Sequence, residues 1–159
     1  MPRTVPTYTV AELEYLNDID LAAFGNDDAV RLGQIAVEVI TERDLNLAVD
    51  IVLAGDLVFR AKLGSTGPGN DPWLAGKAAA ALMFGESSML VKLRHLDAGT
   101  PFDERDDVDH GVVKAYGGAI PLKAGGEIVG TITTSGEADA VDHEAAAEAL
   151  TRYVARFRQ

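Results

Sequence analysis

Twice along this chain, two segments of period-two hydrophobicity meet across a glycine turn, and that pattern restricts the fold more than any other. Leu47, Val49, Ile51 and Leu53 alternate with Ala48, Asp50 and Val52; after Gly55-Asp56, Leu57, Phe59, Ala61 and Leu63 alternate with Val58, Arg60 and Lys62. Farther on, Ile120 and Leu122 face one way, Gly125-Gly126 makes a turn, and the β-branched stretch Ile128 to Thr134 supplies a second partner strand. Two hairpins in place of long crossovers predict antiparallel pairing. Pro121 has no amide to give, so its strand belongs at an edge or where that amide is not needed.

Helical signals surround the hairpins. Thr9 stands three residues before Glu12 as a reciprocal cap for a short helix from about Val10. Asp27-Asp28 favours the positive end of a second helix, whose Leu32, Ile35, Ala36, Val39 and Ile40 fall on one face. After the loop Gly64 to Gly69, Asp71 reads as an N-cap and Pro72 as the first position of a helix that ends at Gly85. Ser87 caps another through Met89, Leu90 and Leu93; Asp97 to Asp109 reads as a polar surface connection. The last helix begins at an Asp139 cap and carries the stripe Ala146, Ala149, Leu150, Tyr153, Val154 and Phe157, with Arg152, Arg156 and Arg158 toward its negative end. The order ααββααββα predicts a single α+β domain over residues 1–159, an antiparallel sheet covered by helices.

Composition narrows the partners. With 25 acidic against 14 basic side chains the net charge is -11, which repels nucleic acid and anionic membranes at long range. The chain has no cysteine, which removes disulfides, thiolate metal sites and covalent haem attachment. No apolar run reaches the ~18 residues of a membrane span. The start, Met1 to Pro6, has no hydrophobic signal core, and a cytoplasmic location is expected.

Two short stretches concentrate the residues able to do chemistry. Asn70-Asp71-Pro72-Trp73 opens a helix that runs into Lys77, and Tyr116-Gly117-Gly118-Ala119-Ile120-Pro121 feeds the hairpin ending at Ser135-Gly136, before Asp142-His143. On these motifs, the chain from about Leu47 to Leu150 resembles the haem-degrading domain (GlcG/HbpS-like) family. The likeness is to its subgroup of uncharacterised proteins with N-D-x-W-x-x-x-K and G-G-x-x-P signatures. The resemblance implies a profilin-like fold, with a sheet of about five antiparallel strands between helices in α/β/α layers, and assembly into homo-oligomers. It also brings haem forward as a cofactor, without a shared iron ligand to carry over.

The candidate ligand-binding set is Asn70, Trp73, Lys77, Tyr116, Gly117, Gly118, Ser135 and His143, for a small planar or anionic ligand. Trp73 and Lys77 lie four apart on one helix face, where the ammonium can approach the indole or a ligand carboxylate. The same spacing also suits an indole packed under the glycine loop with Lys77 snorkelling from it. Asn70 and Asp71 read first as turn and cap residues. Gly117-Gly118 is either a structural turn or a place where backbone amides meet an anion, and the pair is expected to form a pocket with Trp73 and Lys77. Ser135-Gly136 lacks a nucleophile-elbow frame, so no catalytic residue is assigned and the reaction stays open. No metal site is read, since His95, His110 and His143 show no metal spacing and the acidic run Asp103 to Asp109 lacks calcium-loop order. For haem iron, His110 and His143 are the better candidates, with His143 expected at the surface; Tyr116, Met83 and Met89 are further donors, and Lys77, Lys92, Arg94 and Lys114 could meet propionates. Met83, Phe84, Met89 and Leu90 add apolar surface that suits self-association; a non-catalytic assembly module is therefore the rival reading.

Overall fold

The computed structural model describes residues 4–158, so Met1, Pro2 and Arg3 of the start read above lie outside the described residues. The helices are α1 (Val10–Leu13), α2 (Asn26–Glu42), α3 (Asp71–Phe84), α4 (Ser88–Asp97) and α5 (Asp139–Phe157); the strands are β1 (Ala48–Leu53), β2 (Asp56–Lys62), β3 (Ala119–Ala124) and β4 (Glu127–Ser135). The strands form one antiparallel sheet in the order β2-β1-β4-β3, so among the described residues it has four strands and not the five expected. Each hairpin turns on two left-handed residues, Ala54 with Gly55 (φ 49° and 80°) and Gly125 with Gly126 (φ 62° and 81°), whose twist matches that of the strands. The first turn therefore sits one residue earlier than the sequence suggested. Asp20 holds the second by accepting from the Gly125 and Gly126 amides. Pro121 lies on β3, an edge strand.

The two faces of the sheet differ in chemistry. Val49, Ile51, Ile120, Leu122 and Ile132 project into the main core against α2 and α5, with Leu32, Ala36, Val39, Leu150 and Tyr153 opposite. The other face, over which α3 packs on β3 and β4, carries buried Asp50, Thr131 and Thr133. Asp50 accepts both arms of the Arg60 guanidinium at 2.7 Å.

Helix starts follow local hydrogen-bond demand. The Thr9–Glu12 reciprocal cap forms as the sequence implies. Asn70, not Asp71, is the N-cap of α3; Asp71 is its first residue, and its carboxylate pairs with Lys62 at 2.8 Å. Likewise Ala138 is the N-cap of α5 and Asp139 its first residue. The polar connection after α4 is pinned by buried Phe102, whose ring meets Phe84, His95 and His110 edge-on. Met89 and Leu90 are buried with Leu13, whereas Leu82 and Met83 at the end of α3 stay 51% and 55% exposed. No helix of the described residues is long and apolar enough to cross a membrane.

Candidate functional site

The start of α3 faces the start of α5 across the end of β4, and the gap between them is a cavity of about 380 Å³. Asn70, Trp73 and Lys77 line it from α3, Lys92 from α4, Tyr116 from the segment before β3, and Ser135, Gly136, Glu137, Asp139 and Asp142 from the β4–α5 side. Five of the eight residues expected at a site, Asn70, Trp73, Lys77, Tyr116 and Ser135, thus line this cavity, and Gly117 and Gly118 support it from behind. The exception within the set of eight is His143, treated below.

Trp73 is 41% exposed and meets Tyr116 edge-on at 5.6 Å between ring centroids. Its cation is Lys114, whose ammonium lies 4.5 Å from the indole centroid, and not Lys77. A Cβ at Gly76 would overlap the Lys114 stem, so a glycine in α3 is what lets that side chain cross to the indole. Tyr116 has Lys92 5.3 Å from its ring centre and donates its hydroxyl to Asp103 at 2.6 Å, a bond that with burial raises the phenol's pKa.

Lys77 does not snorkel to water. It is 2% exposed, and its ammonium donates to Asp142 Oδ2 at 2.7 Å and to the Thr134 carbonyl at 3.0 Å. Asp142, also 2% exposed, accepts from the Glu137 amide at 2.9 Å through its other oxygen. Burial moves both groups toward neutrality: it lowers the Lys77 pKa and pushes Asp142 up to about 6, against the opposing pull of each on the other. Next to this pair, Asp139 accepts from Lys92 at 2.8 Å and from the Gly117 amide at 3.1 Å. Burial alone would raise Asp139; those two donors more than offset it, and its pKa is lowered.

The glycine pair does not line the cavity wall. Gly117 gives its amide to an anion, but that anion is Asp139. Gly118 has φ 141°, and a Cβ there would overlap the Thr134 carbonyl and lie 3.0 Å from Lys77 Nζ. Asn70 ties the cavity rim together: its Oδ1 accepts from Gly67 N at 3.0 Å, and its amide nitrogen reaches Ser135 at 3.4 Å.

His143 lies elsewhere, and it is not the surface residue expected. It is 1% exposed, packs edge-on against Tyr8 at 5.2 Å and borders a second cavity of about 330 Å³ with Tyr15 and Glu12. Neither ring nitrogen has a hydrogen-bond partner among the described residues, and burial drives its pKa down to about 4. His110 directs Nε2 to the Arg105 carbonyl at 2.6 Å. Among the described residues no group of three or more histidine or carboxylate side chains could hold a metal ion.

Sequence reasoning named Lys77 and, as a cation for an anionic ligand, Lys92, but it did not pair Lys77 with Asp142, and it missed the contributions of Asp139 and Glu137 to the cavity. The available signal was spacing: Asp139 and Asp142 are three apart, one face of a helix start, which places two carboxylates side by side opposite two lysines.

An antiparallel α+β domain with an aromatic, charge-paired cavity at two helix starts is thus the class that fold and site define. Residues 24–151 match the family described as haem degrading protein HbpS-like, and the chain belongs to that family. A UPF0303 protein of Streptomyces coelicolor is 40% identical over 154 residues, covering 95% of this chain and 98% of that protein. The crystal structure of Ybr137w protein superposes with a TM-score of 0.83 at 27% identity, over 96% of this chain and 90% of its own. A PduOC:heme complex shares the fold at a TM-score of 0.67 and 22% identity, over 81% of this chain and 94% of that one.

Proposed function

We propose that this protein, as a cytoplasmic homo-oligomer, binds a small planar ligand with an anionic or carbonyl substituent in the Trp73 cavity. The observation that carries this reading is the half-open indole face. A tryptophan serving only the core would be covered, whereas Trp73 stands 41% exposed beside Tyr116 with two ammonium groups, Lys92 and Lys114, over the two rings.

Haem enters through the family's description and the haem complex among the structural neighbours. The residues present suit part of it. Trp73 offers a flat wall and Lys114, over the indole, a cation for a carboxylate, while Lys92 is paired with Asp139; no histidine or methionine lines the cavity, and the Tyr116 hydroxyl is engaged by Asp103. The donor set therefore does not fit an axially held iron, and any haem uptake is weak and reversible. The net charge of -11 opposes nucleic acid as a partner.

Because the chain has a single tryptophan, its fluorescence reports on this cavity alone. Titration with haemin and with benzoate-type planar carboxylates should quench it saturably, and Trp73→Ala should abolish the spectral change of haemin. Alanine at His110 or His143 should leave the Soret band as it is. Absence of quenching by every compound in both classes would overturn the reading. A second reading, a non-catalytic assembly or protein-interaction module, rests on exposed Leu82 and Met83.

A further inference from the structure

We infer that Lys77 is a nucleophilic amine that forms an imine with an aldehyde or ketone carbonyl on a planar ligand lying against Trp73. The inference rests on the cavity reading above and adds a substrate class and a covalent step to it.

Lys77 differs from every other lysine of the chain. Lys62, Lys92, Lys114 and Lys123 are partly or fully exposed, whereas Lys77 is buried and still borders the cavity. Trp73 lies one helical turn before it on the same face of α3, and both side chains line the same cavity, so a ligand ring against the indole shares that space with Lys77. Gly118 leaves space beside the nitrogen, since a Cβ there would lie 3.0 Å from Nζ. A buried ion pair is a weak source of stability compared with apolar packing of equal volume. Its setting in a cavity wall gives it a use that packing cannot provide.

Asp142 stands ready to move the proton. Its Oδ2 is 2.7 Å from Nζ, and the Glu137 amide fixes its other oxygen. The ammonium passes one proton to the carboxylate, and the free amine attacks the carbonyl carbon. The C–N bond forms while the carbonyl π pair moves to oxygen, which takes a second proton from the nitrogen to give a carbinolamine. Asp142 then returns its proton to the departing hydroxyl. Water leaves, and the iminium keeps the third proton and the positive charge. Burial, which lowers the Lys77 pKa and raises that of Asp142, shortens the proton-transfer gap within this pair.

The test is reductive trapping on the whole protein. It is incubated near pH 7 with 4-carboxybenzaldehyde and cyanoborohydride, digested, and the adducts are located by mass spectrometry while Trp73 fluorescence is followed in parallel. Lys77 should be labelled roughly tenfold faster than Lys62, Lys92, Lys114 or Lys123, a preference that vanishes in urea, because only the folded site lowers its proton affinity. Asp142→Asn should slow the labelling of Lys77 when wild type and variant are compared at equal Trp73 quenching, and an unchanged rate at equal quenching would remove Asp142 from the proton transfer. Label spread over the other four lysines with Lys77 unmodified, alongside normal quenching, overturns the imine and leaves the cavity reading standing. Loss of both quenching and selective label overturns both.

Discussion

Lys77→Met isolates what the buried ion pair does for the fold. Methionine keeps most of the stem's apolar contact, so the change removes chiefly the ammonium and leaves the Asp142 carboxylate 2% exposed with the Glu137 and Gly136 amides but no counter-charge on it. Breaking a buried pair from one side costs about 3–5 kcal/mol, which for a domain of this size lowers Tm by roughly 6–20 °C. The pH dependence follows from Asp142. Its folded pKa is about 6 even with Lys77 in place, above its ordinary value of 3.8, so removing the ammonium raises it further. A carboxyl with a raised folded pKa favours the fold when protonated and opposes it as pH rises through that value. The variant should therefore be far less stable than the wild type at pH 7.5 and recover much of the deficit at pH 5. Adding Asp142→Asn should restore most of the loss at pH 7.5, since no buried charge remains. Urea unfolding at the two pH values measures all three proteins. A single variant within about 1 kcal/mol of the wild type at pH 7.5, or an equal deficit at both pH values, would refute the coupling of these two groups.

Gly118→Ala should destabilise by roughly 1–3 kcal/mol from backbone strain at φ 141°, with the Thr134 carbonyl overlap adding to it; an unchanged urea midpoint would contradict the geometry. His143→Leu removes an imidazole with no hydrogen bond to lose. Because the folded pKa of about 4 is below the usual 6.5, wild-type stability is complete above pH 6.5 and drains by up to about 3 kcal/mol as pH falls toward 4. The leucine variant should lose less over that interval, and parallel acid-side curves would be inconsistent with a buried neutral ring. Light scattering at micromolar concentration should give a mass several times the chain's 16.8 kDa, and Leu82→Glu with Met83→Glu should reduce it if those residues seal the contact. A single species of chain mass in the wild type rules out the oligomer.

The order of elements was readable because hairpin alternation and helical stripes are local signals, and both reach the structure nearly unshifted. Strand number was not: the expectation of about five came from a family likeness, and period-two patterning itself marks only the four strands found. Helix starts moved by one residue because Ala138 takes the extended position ahead of α5 and Asn70 closes a short 3-10 turn ahead of α3, so the acidic neighbours become the first helical residues. Trp73 and Lys77 could be placed on one face from spacing alone, but the partner of each lies far along the chain. Lys77 finds Asp142 and Trp73 finds Lys114, contacts that no local pattern encodes. His143 shows the reverse failure. A polar residue at a helix start reads as exposed, and only the packing of Tyr8 over α5 reveals that it is buried.

Nuclear magnetic resonance on uniformly ¹⁵N-labelled protein tests the Trp73 cavity most directly, because the lone tryptophan gives one indole N–H peak. During titration with haemin or a planar aromatic carboxylate, that peak should move together with the backbone amides of Gly117, Gly136 and Glu137, while Tyr8, Glu12 and Thr151 around the second cavity stay still. Shifts gathered around Tyr8 and Thr151, or around Leu82 and Met83, with the indole unmoved would contradict the assignment.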